Sequence, residues 1–144
     1  MISFQARPTQ RTHDRLWMYC ALDPESVRQR MGGRWELFKA YNVDRARTPN
    51  VRDALGARMD VFGLPAIPSA ELARIVLPMP LIWGRHDHAT RLPLAEAASA
   101  RYGWPLQVIE NAADDPPIEQ PEAFVRALRA ALGSSLPLEQ RSKP

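Results

Sequence analysis

Two short apolar runs, "MPLIW" and "LQVI", separated by one amphipathic stretch of helix length, constrain what this chain can fold into more than any other feature. Met79 to Trp83 and Leu106 to Ile109 are too short and too evenly apolar for an amphipathic helix, and read as strands buried on both faces. Pro78 and Pro80 must then stand at the start of the first strand, where a missing amide does least harm. Between the runs, Leu92 to Tyr102 carries Pro93 in its first turn, Leu94, Ala98 and Tyr102 on one face and Gly103 as a stop, which predicts a helix. A last helix opens at Pro121, turns Phe124, Val125, Leu128 and Leu132 inward and ends at Gly133.

Strand, helix, strand, helix in this rhythm is a βαβα unit whose strands run parallel through a right-handed crossover. Parallel strands release their loops at one edge of the sheet, where open α/β folds bind ligands. The loops here are "GRHDHATR" and "NAADDPP", so Asp87 and Asp114 should emerge as neighbours despite the crossover between them.

The residues before Leu77 have a different grammar: short helices broken by start and stop signals. Arg11 to Leu22 forms one, with Leu16, Trp17 and Cys20 on one side. Asp23 and Pro24 cap and open "PESVRQRM", which Gly32-Gly33 ends; "RWELFKAY" follows. Thr48-Pro49 starts a further helix, with Val51, Leu55, Met59 and Phe62 at helical spacing up to Gly63, and Ser69 opens "SAELARI". Gly32-Gly33 follows a helix rather than a strand, so it reads as a helix break and not as a phosphate loop. The organisation expected is a helical region over residues 1–75, a βαβα core over 76–133 and a polar tail over 134–144.

A length of 144 residues, 45% of them hydrophobic and 24% charged, suits one packed domain rather than a disordered chain. Nothing approaches the roughly 20 apolar residues of a membrane span, and "MISFQARPTQRTHDR" lacks the apolar stretch of a secretion signal, so a cytoplasmic protein with no membrane partner is expected. The single cysteine, Cys20, has no partner for an internal disulfide. Nineteen basic groups against sixteen acidic ones give +3, but the arginines are interleaved with acids, without a basic run or aromatic-studded motif, so nucleic acid is not expected as a partner. No cofactor motif is present, and no histidine or cysteine spacing suits a metal.

Within this frame "PLIWGRHD" resembles the penultimate core strand of the α/β-hydrolases with its G-x-x-D, whose aspartate is the acid of the triad; the resemblance puts Asp87 in that place. "NAADDPPIEQPEAF" is similar to that family's G-x-G-H-x-P-x-x-E-x-P-x-x-F, in which the histidine is the general base. Pro116, Glu119, Pro121 and Phe124 hold the register, and Asp114 stands where the histidine belongs. The resemblance covers Pro78 to Leu132, with residues 1–75 as a helical cap. It implies a partial α/β-hydrolase fold and, in complete relatives, hydrolysis of an ester or related bond by nucleophile, acid and histidine, with backbone amides holding the oxyanion.

Two departures limit what carries over. The family's nucleophile sits in G-x-S-x-G, upstream of the cap, and none of the seven serines here has glycines two positions to either side; nor does any Asp or Cys. A carboxyl with an ordinary pKa of about 3.9 is also a weak proton acceptor at neutral pH. The expected function is therefore hydrolase-like but inactive in the isolated chain. The alternative is a non-catalytic protein that binds a small apolar or ester-like molecule, or an interaction protein, on the same fold.

The remaining candidates have plainer readings. His86 and His88 flank Asp87, and either would serve as a displaced base if its ring turned to the site, but solvated loop histidines are common. Asp114 also reads as a turn residue accepting backbone amides, and Glu119 with Pro121 as organisers of the last helix. His13 and Cys20 show no partners, Cys20 reading as a small core group. Trp17, Tyr19, Trp35, Phe38, Tyr41 and Phe62 read mostly as packing, with one or two available to an apolar pocket. Two strands apolar on both faces also leave open edges that a second copy or a complementing chain would cover.

Overall fold

The computed structural model describes residues 2–61 and 67–135. The chain divides into two units, one of Met1–Tyr19 with Asp23–Ser69, the other of Cys20–Leu22 with Ala70–Pro144. The class is mixed α/β, mostly helical with a two-stranded parallel sheet.

The first unit is built from α1 (Ile2–Ala6), α2 (Gln10–Cys20, up to Tyr19), α3 (Pro24–Met31), α4 (Arg34–Arg47) and α5 (Pro49–Val61). Its boundaries follow the signals in the sequence. Asp23 caps α3, its carboxylate accepting the Ser26 amide at 2.9 Å, and Gly32 ends that helix at φ 54°, a left-handed value that suits only glycine without strain. Thr48 leaves the helical region at ψ 127° and its carbonyl accepts the amides of Val51 and Arg52, so α4 stops where α5 starts. Phe62 and Gly63, the expected end of α5, lie outside the described residues.

The core of this unit is aromatic. Trp17 and Trp35, both buried, meet edge to face with ring centroids 5.4 Å apart, and Phe38 packs on both. His13 sits fully buried among Phe4, Trp17, Trp35 and Phe38, its Nε2 3.1 Å from the Asn42 side-chain amide. The sequence had offered it no partner. Beside it, Asp14 gathers Lys39 and Arg28 at 3.4 and 3.5 Å. Tyr19 and Tyr41 are exposed rather than part of this packing.

The second unit contains α6 (Ser69–Ala73, from Ala70), β1 (Leu81–Gly84), α7 (Leu92–Tyr102), β2 (Leu106–Ile109), α8 (Pro116–Glu119) and α9 (Pro121–Ser135). The strands are parallel, as the crossover requires, in the register Leu81 to Leu106 through Gly84 to Ile109. β1 begins two residues later than the apolar run suggests. Pro80 has no amide to give, and the first bond to the neighbouring chain is Leu81 N–H to the Pro105 carbonyl at 2.7 Å.

Three expectations about burial are corrected. The strands are not buried on both faces: Leu81, Ile82, Trp83, Leu106, Gln107 and Val108 are all half-buried, because two strands cannot cover one another's outer edges. In α7 the inward positions are Leu92 and Ala95, with Leu94 63% exposed, a rotation of the helix from the face its apolar residues suggest. In α9 the buried residues are Ala127 and Ala131; Val125, Leu128 and Leu132 are exposed, so the small side chains rather than the large apolar ones take the inward face. Nor does α9 stop at Gly133, which keeps negative φ and is carried through within the helix. The short helix α8 carries no periodic signal of its own and was not expected.

Candidate functional site

The two loops leaving the sheet are tied together before any side chain is considered. Arg85 N–H bonds the Ile109 carbonyl at 3.0 Å, extending the ladder past Gly84, and His86 N–H bonds the Ala112 carbonyl at 2.9 Å. Ala112 and Ala113 lie directly against Gly84, so that a Cβ there would overlap the Ala113 carbonyl oxygen and press on that of Ala112 at 2.8 Å. The glycine of G-x-x-D is thus required by the approach of the second loop. No left-handed φ is involved.

Asp87 is held by its own turn. Its Oδ1 accepts the amides of Ala89 and Thr90 at 2.7 and 2.8 Å, and the indole of Trp83 closes the turn by donating to the Thr90 carbonyl at 2.8 Å.

The second loop is organised by Glu119, which is 3% exposed. One of its oxygens, Oε1, accepts the amides of Ala113 at 2.7 Å and Asp115 at 3.3 Å; the other, Oε2, accepts that of Leu22 at 2.6 Å. The Cys20 carbonyl takes the Asp114 amide at 3.1 Å, so Cys20–Leu22 is stitched into this unit at two points. The amide-accepting role that the sequence offers to Asp114 therefore belongs to Glu119. Its position on the one-turn helix α8 returns the carboxylate over the loop it follows.

Asp114 has a different environment. Partial burial and the negative charge of Asp87 push its carboxyl above the usual range, while a hydrogen bond from the Cys20 thiol pulls it part of the way back. The Asp87 charge therefore acts on Asp114 across the two loops. Asp115 is raised too, by burial and then by the charges of Asp114 and Glu119. Cys20 answers in kind: burial, the Asp114 charge and the hydrogen bond to it push the thiol up to about 12. At neutral pH it is a protonated donor rather than a nucleophile.

His86 and His88 are both exposed. His86 lies near Glu110, where its charge joins the Arg85 guanidinium in holding that carboxyl down; Arg85 and Glu110 form a two-pronged ion pair. The charge acting on Asp114 is that of Asp87, with no imidazole set against it. Among the described residues no group of three or more His, Cys, Asp or Glu is placed to hold a metal ion, and no helix is long and apolar enough to cross a membrane.

What these atoms provide is an acidic pair of loops: one carboxylate accepting two amides, a second with a raised pKa, and a thiol held protonated. Searches of family models, curated proteins and solved structures return no match to the chain.

Proposed function

We propose that this chain is the cap and C-terminal core of an α/β-hydrolase-type protein, with Asp87 in the place of the triad acid and Asp114 in that of the base, and that the chain by itself does not turn over esters. The observation that supports the reading is the parallel βαβα unit whose two loops leave the same end of the sheet, with Gly84 packed against the second loop and the charge of Asp87 raising the Asp114 carboxyl. In complete relatives a histidine at the Asp114 position would take a proton from the nucleophile and later return it to the leaving group. Asp114 does not perform that cycle: even with its pKa raised it lacks the imidazole's second nitrogen, by which the acid would orient it.

A binding role at the same loops is the second reading, favoured by the Cys20 thiol, which the raised pKa keeps as a donor to Asp114 and out of nucleophilic chemistry. The two readings part in one experiment on the purified chain: release of nitrophenol from a short-chain aryl ester, followed beside thermal stability with a panel of small esters and acids. No turnover in either the wild type or Asp114→His agrees with an absent nucleophile; turnover by the wild type would end the first reading. A shift in melting temperature without turnover, lost in Asp114→Ala, supports binding.

A further inference from the structure

Among the described residues, the buried side-chain polar atoms that make no hydrogen bond are His13 Nδ1, Asp14 Oδ1 and Arg28 Nε. They belong to one cluster between α2, α3 and α4, in which Asp14 Oδ1 lies 3.9 Å from His13 Nδ1 and 3.5 Å from the Arg28 guanidinium. Buried groups of this kind are ordinarily paired, so their gathering at one spot needs a reason. Its centre is His13, fully buried, whereas the other two histidines, His86 and His88, are exposed in a loop of the second unit.

The ring is hydrogen-bonded at Nε2, where Asn42 presents its Nδ2 at 3.1 Å. An amide nitrogen only donates, so Nε2 is the acceptor and Nδ1 carries the proton of the neutral imidazole. A second proton must then enter at Nε2, against the donor that faces it. Phe4, Trp17, Trp35 and Phe38 enclose the ring with centroids 5.6 to 6.3 Å away, and offer π-faces but no lone pair to a new N–H. The charged neighbours are equally unhelpful. Asp14, on α2 itself, is too far from Nδ1 for a hydrogen bond, and its charge is shared with Lys39 of α4 at 3.4 Å and Arg28 of α3 at 3.5 Å. Those cations also meet Glu36 at 3.0 Å and Glu25 at 3.7 Å, and α1 holds no charged residue. Burial, Lys39 and Arg28 oppose the imidazolium; Asp14 favours it and is outweighed, which leaves the His13 pKa below its ordinary 6.5.

We propose that His13 is an acid-operated release for the helical unit: uptake of one proton at Nε2 turns the Asn42 amide away and opens the packing of α2, α3 and α4, while the βαβα unit stays folded. The proton comes from solvent and returns to it on neutralisation, so the opening is reversible and no covalent bond is broken. The second unit has no buried imidazole to respond in this way. Its half-buried carboxyls, Asp114 and Asp115, are raised by burial and by neighbouring acids, and are relieved by acid rather than strained by it. One change of pH therefore acts on the two units in opposite senses. The device does not depend on any hydrolase activity.

The test is hydrogen–deuterium exchange of the full chain, resolved by segment at about pH 7.5 and about pH 5.5 and corrected for the intrinsic exchange rate at each pH. Protection of α2, α3 and α4 should fall, by at most about tenfold for each pH unit below the ordinary imidazole value, while β1, β2 and α9 keep theirs. Returning the sample to neutral pH should restore it. His13→Gln, which takes up no proton, and Asn42→Asp, which sets a carboxylate acceptor of the same shape before Nε2, should each abolish the fall. Unchanged protection of α2, α3 and α4 in the wild type, an equal loss in β1, β2 and α9, or a fall that survives in either variant would overturn the proposal. If His13→Gln does not fold, Asn42→Asp, an isosteric change at a half-buried position, decides alone.

Discussion

Glu119 accepts the amide of Leu22 across 97 positions of sequence, and with its other oxygen accepts those of Ala113 and Asp115. A buried carboxylate of this kind acts as a three-way clamp between a loop and a distant stretch of chain. Truncating it leaves the buried Ala113 amide and the part-buried amides of Leu22 and Asp115 without this acceptor, at up to about 1–3 kcal/mol each. Glu119→Ala should therefore lower the unfolding free energy by about 3 kcal/mol or more, and Glu119→Gln by less, since one carbonyl oxygen remains to accept. Urea unfolding of the full chain measures both; equal stability of Glu119→Ala and wild type would contradict the clamp.

Gly84 and Gly133 make a paired test of close approach. A methyl at Gly84 meets the backbone of Ala112 and Ala113, whereas one at Gly133 meets nothing within 4 Å. Gly84→Ala should destabilise the fold by more than 2 kcal/mol, since backbone rather than a movable side chain must yield (about 1–3 kcal/mol for ordinary overpacking). Gly133→Ala, inside α9, should stabilise by roughly 0.5–1 kcal/mol through helix propensity. Melting temperatures moving in the same direction for both would count against this packing.

Cys20 should be slow to react. With its thiol pushed up to about 12, alkylation by iodoacetamide at pH 8 should proceed far more slowly than for an unfolded control. Asp114→Asn removes the charge that helps to hold the proton and should speed the reaction. Identical rates for the two proteins would remove Asp114 as a cause.

Two opposing pH dependences are expected. His13 is buried and its pKa is lowered from 6.5, chiefly by burial, so the unfolded chain binds the extra proton first. Its contribution is fully present above about pH 7.5 and is lost as pH falls through the unfolded value towards the folded one, with a slope of at most about 1.4 kcal/mol per pH unit. Asp114 and Asp115 act the other way: their raised pKa values mean that the folded state takes up protons first, so the penalty is whole at neutral pH and is relieved as pH falls through the folded pKa towards the ordinary carboxylate value. Asp114→Asn should be more stable than wild type at pH 7 and lose that advantage near pH 4. Unfolding free energies between pH 4 and 8 test both signs, with His13→Gln as the variant in which the fall below pH 7 should flatten.

Much of the backbone was legible because its punctuation is local. Asp23, Pro24, Gly32, Pro93 and Gly103 fix helix ends through capping and permitted φ values, and the spacing of two apolar runs about one helix fixes a parallel pair. What escaped depended on partners far along the chain. Nothing in "YCAL" announces that Cys20 and Leu22 will bond the Asp114 amide and Glu119. The inward faces of α7 and α9 were misjudged for a related reason: counting large apolar residues assumes that each finds a cover, whereas Ala95, Ala127 and Ala131 are what allow a helix to lie on so small a sheet. His13 was missed because an imidazole in a ring-lined core has no sequence spacing to reveal it.

The bond from His86 N–H to Ala112, together with the contact of Gly84 on Ala113, joins the two loops at their roots. On the binding reading proposed above, a ligand meeting these loops would find their roots already joined, so that part of the ordering is done before it arrives.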